Sequence, residues 1–380
     1  MLNFNQPYLT GNETKYITEA VKSGHLSGNG LFTKRCHRFF EQRYGFRKAL
    51  LTTSCTDALE MAAMLLRLQP GDEVIVPSYT FVSTALAFVR EGVRIVFADS
   101  LPNHPNIDHT KIEGLITPRT KAIVVVHYAG MACQMDSIMD TANRHGLFVV
   151  EDAAQAIESF YVGKDGSRRA LGSIGHLAAF SFHETKNIIA GEGGLLAIND
   201  DRFVERSEIL WEKGTNRAQF FRGEINKYGW VDVGSSFLPS EATAAFLWAQ
   251  LENLEDIQGR RIQHWNRYDE GLRALALPPG LSFPKVPAYA TNNAHMYYLV
   301  CQDAAQRQQL IAGLKARGIG AVFHYLSLHQ SEFYRSKYQG EELPNSDRFT
   351  DCLVRLPLFY ELKVEQIDRV VSAVEDVLAA

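Results

Sequence analysis

The sequence predicts an α/β protein built on a mostly parallel sheet, followed by a smaller α+β domain. Three observations predict it. Strand-like and helix-like segments alternate over the first two thirds of the chain. The strands are short and continuously apolar, so both of their faces must be covered. Near residue 240 the alternation gives way to a long stretch poor in Gly and Pro. Repeated βα units make a sheet with helices on both faces. Ligands of such sheets bind beyond the carboxyl ends of the strands, so residues just after strands are the candidates for chemistry.

In chain order, Thr10-Gly11-Asn12 opens a helix carrying Ile17, Ala20 and Val21, and Gly24 stops it. Ala49 to Thr53 reads as a strand and Ala58 to Leu68 as a helix closed by Pro70-Gly71. Glu73 to Val76, Val93 to Ala98 and Lys121 to His127 are strands, with a helix from Thr80 to Arg90 between the first two. Asp136 to His145 is helical, and Leu147 to Val150 is a strand ending in Glu151-Asp152. His176 to Phe182 and Gly194 to Ile198 complete seven strands. Glu241 to Arg273 reads as one or two long helices. Tyr297 to Cys301 is a strand, and Gln308 to Arg317 and Val364 to Leu378 are helices. The expected division is 1–250, a large cofactor-binding α/β domain, and 251–380, a small α+β domain.

Composition narrows the class. Hydrophobic residues make 46% and charged residues 22% of 380, and Lys+Arg 39 against Asp+Glu 43 leaves −4. This balance argues against disorder and against a nucleic-acid partner held through phosphates. No apolar stretch approaches the roughly 20 residues that span a bilayer, and Met1 to Pro7 lacks a basic region followed by an apolar run. Cys36, Cys55, Cys133, Cys301 and Cys352 are odd in number and show no metal-ligand spacing. Reduced thiols, no metal, no membrane and a cytoplasmic location are the expectations.

The sharpest motif is Ser181-Phe182-His183-Glu184-Thr185-Lys186-Asn187 with Gly191-Glu192-Gly193-Gly194 behind it. A lysine follows an apolar strand directly. Asp152 ends an earlier strand, and Thr53-Ser54-Cys55-Thr56 sits at the first strand-to-helix junction. Pyridoxal phosphate needs these three parts. A lysine amine forms the Schiff base, an acid holds the pyridine nitrogen protonated, and a helix N-terminus takes the phosphate.

These residues resemble the DegT/StrS-type sugar-nucleotide aminotransferases, fold type I pyridoxal-phosphate enzymes. The resemblance runs nearly end to end. It includes Pro70 to Val74, Pro77 to Phe81, His127 to Gly130, Glu151 to Gln155 and Ser181 to Gly194. The stretches Lys213 to Arg217, Phe220 to Gly223, Lys227-Tyr228, Trp230, Asp232 to Ser236, His295, Tyr297 and Val322 to Tyr325 are similar to one branch of it, the dTDP-4-amino-4,6-dideoxygalactose transaminases. The resemblance implies a seven-stranded cofactor domain and a homodimer with shared active sites. It also implies transfer of an amino group from L-glutamate to C4 of a dTDP-keto-sugar for surface polysaccharides, such as lipopolysaccharide or enterobacterial common antigen.

Carried over by position, Lys186 holds the cofactor and then serves as general base, and Asp152 pairs with the pyridine N–H. Gln155 contacts the ring hydroxyl and Phe81 stacks on the ring. Cys55, Thr56 and Ser181 take the phosphate. The cofactor alternates between its pyridoxal (PLP) and pyridoxamine (PMP) forms. Ser236 stands where the family often has an Asn supplied by the other subunit. His127, Tyr128, Arg217, Lys227, Tyr228 and His324 are the candidate substrate contacts. Taken by residue type alone, the histidines serve as well in a structural role, and the Arg217 to Tyr228 stretch as a solvated loop. Relatives that deoxygenate sugars carry His at the position of Lys186, so Lys186 argues for amine transfer. Amination at C3, a UDP-sugar, a non-catalytic pyridoxal-phosphate-binding regulator and a lyase are the alternatives.

Overall fold

The computed structural model describes residues 1–379. Seven strands form one sheet, in the order Lys48–Thr52, Gly194–Ile198, Leu177–Ser181, Phe148–Asp152, Thr120–Val126, Glu73–Pro77, Arg94–Ala98. Gly194–Ile198 runs antiparallel to both its neighbours, and the others run parallel. Alternation along each strand sorts the side chains between two cores. Ile75, Ile123, Val125, Val149 and Phe180 enter one. Val74, Val76, Val124, Val150 and Leu196 enter the other. Such strands carry no polar face because both sides are covered.

Helices Cys55–Leu65 and Ser83–Val89 cover the second face. Helix Leu31–Tyr44, which the sequence reading lacked, covers the first through Phe32, Cys36 and Phe40. Its N-cap is Gly30. Its opening amides go to a carboxylate far along the chain, Glu241, which accepts from Phe32 N at 2.7 Å and Thr33 N at 3.0 Å. No local capping residue announces that helix. Two short hairpins also went unread: Ser100–Leu101 with His104–Ile107, and Phe160–Val162 with Arg168–Ala170.

The Glu241 to Arg273 stretch is two helices, Glu241–Glu252 and Leu254–Arg273, broken at Asn253. The expected 250/251 division falls beside this break, but the second helix serves both cores. Leu254 and Ile257 pack under the large sheet, while Trp265, Tyr268 and Leu272 pack in the C-terminal core. Residue 2 departs from the expected division. Leu2 lies in the C-terminal core and bridges to Ile319. That core is built on the antiparallel sheet Tyr297–Val300, Leu353–Leu356, Val322–Phe323 and on helices Ala304–Ala316 and Val364–Ala379. No helix among the described residues is long and apolar enough to cross a membrane.

Candidate active site

A cleft of about 1330 Å³ opens where the carboxyl ends of the large-sheet strands face the C-terminal unit. Its floor follows from strand ends. Asp152 and Ser181 finish adjacent strands, Thr52 finishes a strand one place beyond Gly194–Ile198, and the chain then turns into Ser54, Gln155 and Lys186.

Helix Cys55–Leu65 begins at the cleft, three residues earlier than the sequence suggested, so Cys55 and Thr56 are its first two residues. Ser54 caps it by accepting from Asp57 N at 3.1 Å. First-turn amides have no partner inside a helix and, with the helix dipole, favour an anion. Thr56 Oγ1 lies 2.8 Å from Ser83 Oγ, and both residues line the cleft. Gly194 completes this corner. A Cβ there would fall inside the Ser54–Cys55 peptide, so only glycine lets the strand end pass this close. Ser181, paired opposite Gly194, is half-buried at the same corner.

Asp152 is buried. Its Oδ2 accepts from Thr84 Oγ1 at 2.7 Å and its Oδ1 from Ala154 N at 3.1 Å. Burial pushes its pKa up, against those two hydrogen bonds and the Lys186 charge. Lys186 is half-buried on the cleft wall, and burial pushes its amine below the ordinary lysine value. Gln155 is fixed at both ends of its amide. Oε1 accepts from Ala129 N at 2.6 Å and Nε2 donates to Tyr325 OH at 2.8 Å. Phe81 lines the cleft with 55% of its surface exposed, an unusual position for a large apolar ring without a ligand.

These residues fit pyridoxal phosphate. A lysine whose burial favours the neutral amine, a buried carboxylate with spare acceptor capacity, an exposed aromatic face and a glycine-cleared helix N-terminus surround one cavity. The structure brings Lys186, Asp152, Gln155, Cys55, Thr56, Phe81, Ser181 and His324 together on it.

Other candidates go elsewhere. His127 is wholly enclosed, with Nε2 2.8 Å from Glu151 Oε2 and Nδ1 accepting from Cys133 N at 3.2 Å. Both ring nitrogens are used inside the protein, so its place is behind the cleft wall rather than on a substrate. Tyr128 is also enclosed, and its hydroxyl is hydrogen-bonded to His324 Nδ1 at 2.8 Å. It supports a cleft residue instead of lining the cleft. Arg217, Lys227, Tyr228 and Ser236 lie on an exposed excursion that packs against helix Val204–Trp211, away from the Lys186 cleft of the same chain. A motif's spacing does not say on which side of a sheet its loop returns, which is why the sequence could not place them. Thr84 and Arg355 were missed. Thr84 carries the Asp152 contact, and Arg355 lines the cleft from the C-terminal sheet. Each is a single residue within an ordinary helix or strand, with no local signal.

The chain is similar to known proteins along its length. The DegT/DnrJ/EryC1/StrS aminotransferase family model matches residues 7–375. The spore coat polysaccharide biosynthesis protein SpsC of Bacillus subtilis is 34% identical over 99% of this chain and 97% of its own length. The aminotransferase TlmJ of Streptoalloteichus hindustanus superposes with a TM-score of 0.90 at 30% identity, covering 100% of this chain and 99% of TlmJ. DesV of S. venezuelae superposes with 0.89 at 31% identity, with the same coverage. With this match across the whole fold and the Lys186–Asp152 pair in the cleft, the chain belongs to the DegT/DnrJ/EryC1/StrS aminotransferase family and is a pyridoxal-phosphate-dependent sugar aminotransferase.

Proposed function

We propose that the protein transfers the amino group of L-glutamate to C4 of dTDP-4-keto-6-deoxy-D-glucose. The product is dTDP-4-amino-4,6-dideoxy-D-galactose for a surface polysaccharide. The observation that carries amine transfer is Lys186 on the wall of the cleft that also holds Asp152. The sugar rests on the resemblance of Lys213 to Ser236 and of Val322 to Tyr325 to one family branch.

Pyridoxal phosphate, when bound, supplies the electron sink that lets a Cα–H bond break. The chain's own groups do the rest. With the cofactor bound, Lys186 would take the proton from the donor's α-carbon and deliver it within the same half-reaction, and would run that transfer in reverse for the sugar; burial lowers its pKa, which favours the neutral amine this needs. Asp152 holds the pyridine proton, with Thr84 and Ala154 N fixing its carboxylate plane. Gln155 directs its amide at the ring hydroxyl, and the Cys55–Thr56 amides take the phosphate.

The active form in this reading is a homodimer. The exposed loop carrying Phe221 (66%), Trp230 (83%) and Val233 (57%) has apolar surface to bury, and a second copy would bring Arg217, Lys227, Tyr228 and Ser236 to the neighbouring cleft. Serine reaches less far than the family's asparagine at that place.

An absorbance titration of the cofactor-loaded protein tests the function. L-glutamate should bleach the visible band of lysine-bound cofactor, and dTDP-4-keto-6-deoxyglucose should restore it. Restoration only by a UDP-sugar or a 3-keto-sugar would replace the acceptor. Failure of every amino donor to bleach the band would reject amine transfer.

A further inference from the structure

One buried cation stands behind the cleft with no anion to meet it. Arg261, on helix Leu254–Arg273, is 4% exposed. Its Nε donates to the Ala294 carbonyl at 3.2 Å and one Nη to the His295 carbonyl at 2.8 Å. Burial alone acts on it and lowers its pKa to about 9. A buried charge without a counter-charge is costly, so its place asks for a reason. The segment it grips ends in His295, a ring on the cleft wall that the preceding reading leaves without a task. Asn293 grips the same segment. Its Oδ1 accepts from His295 N at 3.0 Å, and its Nδ2 donates to the carbonyls of Gln155 and Ile157, each at 2.8 Å.

The hydrogen bonds fix the tautomer of His295. Asn187 Nδ2 donates to the Asn293 carbonyl at 2.9 Å and to Gln258 Oε1 at 2.8 Å. A carbonyl only accepts, so that end of the Asn187 amide is nitrogen and the other end is oxygen. His295 Nδ1, 2.9 Å from Asn187 Oδ1, therefore carries the ring proton and donates it. Nε2 keeps a bare lone pair. It has no partner among the described residues and is not sealed from the cleft. The charged groups acting on the ring are Lys186, Arg261 and Arg355, all cations, and together with burial they hold its pKa well below the ordinary histidine value. Arg261 thus has a use: its charge keeps Nε2 unprotonated.

What a bare nitrogen does here follows from Lys186. Asn187, which holds the ring, is the residue after that lysine, and Lys186 and His295 line the same cleft. No hydrogen bond of the chain restrains the Lys186 amine. Its flexible four-carbon stem lets the amine turn freely, yet proton transfer needs the lone pair aimed at the carbon within hydrogen-bond reach. An acceptor that takes one N–H leaves the lone pair free to point there. After the transfer the same acceptor holds an N–H of the ammonium, in a corner otherwise lined by cations.

We propose that His295 is a positioning residue whose Nε2 accepts a hydrogen bond from the released Lys186 amine and aims that amine at the carbon giving up its proton. This rests on the aminotransferase reading above.

The test compares cofactor-loaded wild type with His295→Phe, which keeps a ring and removes the acceptor, and His295→Gln, which offers an oxygen in its place. Bleaching of the visible band by L-glutamate is followed at rising concentration, with hydrogen or deuterium on the α-carbon. Hydroxylamine, which attacks lysine-bound cofactor without a carbon–hydrogen bond to break, reports an intact site. His295→Phe should bleach about tenfold more slowly at saturating glutamate, as for one lost hydrogen bond to a charged group. Its deuterium effect should be larger, its half-saturating glutamate within about twofold of wild type and its hydroxylamine reaction unchanged. His295→Gln should recover part of the rate. Nitrogen-15 spectra of the histidine rings in the loaded wild type should show Nε2 of His295 unprotonated from pH 6 to 8. In Lys186→Ala supplied with methylamine as base, adding His295→Phe should leave the formation of 2-oxoglutarate unchanged, since no lysine remains to be aimed. An equal further loss there overturns the proposal and gives His295 to the substrate. So does a raised glutamate requirement at an unchanged saturating rate, or a proton on Nε2. If wild type is not bleached by any α-amino acid, the aminotransferase reading itself falls, and that failure is visible without any variant.

Discussion

Two carboxylates stand side by side on one strand and do opposite work. Glu151 and Asp152 end Phe148–Asp152, and strand alternation sends them to opposite faces of the sheet. Glu151 is wholly enclosed. It accepts from the amides of Gly172 (2.8 Å), Ile174 (2.8 Å) and Gly175 (2.5 Å) and pairs with His127. Burial would raise its pKa, but the His127 hydrogen bond and those amides outweigh it and hold the carboxyl below its ordinary value. Asp152 has one hydroxyl and one amide, and burial wins. A carboxylate with its acceptor sites filled by the protein fastens loops to a sheet. One with spare acceptors and a cleft before it waits for a ligand. Sequence position separates them by a single residue; hydrogen-bond accounting separates them completely.

The largest expected effects come from removing the cleft members. Lys186→Ala should lose more than about a thousandfold in amine transfer, with no visible cofactor band and an unchanged circular dichroism spectrum. Asp152→Asn should lose about a hundredfold or more in the same assay, because the ring nitrogen loses its counter-charge, while thermal stability holds or rises since an under-satisfied buried charge is gone. Substantial turnover by Lys186→Ala would break the assignment of that lysine.

Glu151→Gln should do the reverse. A glutamine amide must present N–H groups where backbone N–H donors already point, leaving unmade hydrogen bonds worth on the order of 3 kcal/mol. The thermal midpoint should fall by several degrees, with activity per folded molecule within about twofold of wild type. A variant as stable as wild type but inactive would exchange the roles given to the two carboxylates.

The same pair makes a pH prediction. The folded pKa of Glu151 lies below its unfolded value. Its contribution is therefore present above the unfolded value, near pH 4.3 to within about a unit, and is lost as pH falls through the folded value. Urea midpoints of wild type and Glu151→Gln should differ most near neutrality and converge at more acid pH. A constant gap across the acid limb would mean that the Glu151 charge contributes nothing.

How much of this was legible beforehand follows from where the signal lies. Lys186, Asp152 and the Cys55–Thr56 corner each follow an apolar strand, and strand ends can be read from hydrophobic runs. Helix Leu31–Tyr44 was not legible because its capping group, Glu241, is more than two hundred residues away. His127 misled because a histidine after a strand looks the same whether it faces the cleft or the layer behind it. The Lys213 to Ser236 loop does not line its own chain's cleft, and a sequence does not say to which copy's cleft a loop belongs. Arg355 stayed silent because its neighbours come from Phe4, Phe323 and the tyrosine cluster, which only the fold assembles.

The smallest expected effect is the most informative about tuning. Thr80 Oγ1 lies 2.8 Å from Thr84 Oγ1, and Thr84 donates to Asp152 Oδ2. Thr84 thereby supplies one of the two hydrogen bonds opposing the burial that raises the Asp152 pKa. Thr84→Val keeps the volume and removes the donor, so the Asp152 pKa should rise further and its hold on the ring proton should weaken. Turnover should fall about tenfold, in keeping with one lost hydrogen bond to a charged group, and the acid limb of the rate profile should move to higher pH as a larger fraction of Asp152 is protonated. Thr84→Ser should restore both. A fall in rate with no movement of the acid limb would reduce Thr84 to packing. Movement of the limb with restoration by serine would show that the difference between the two neighbouring carboxylates is graded by single donors.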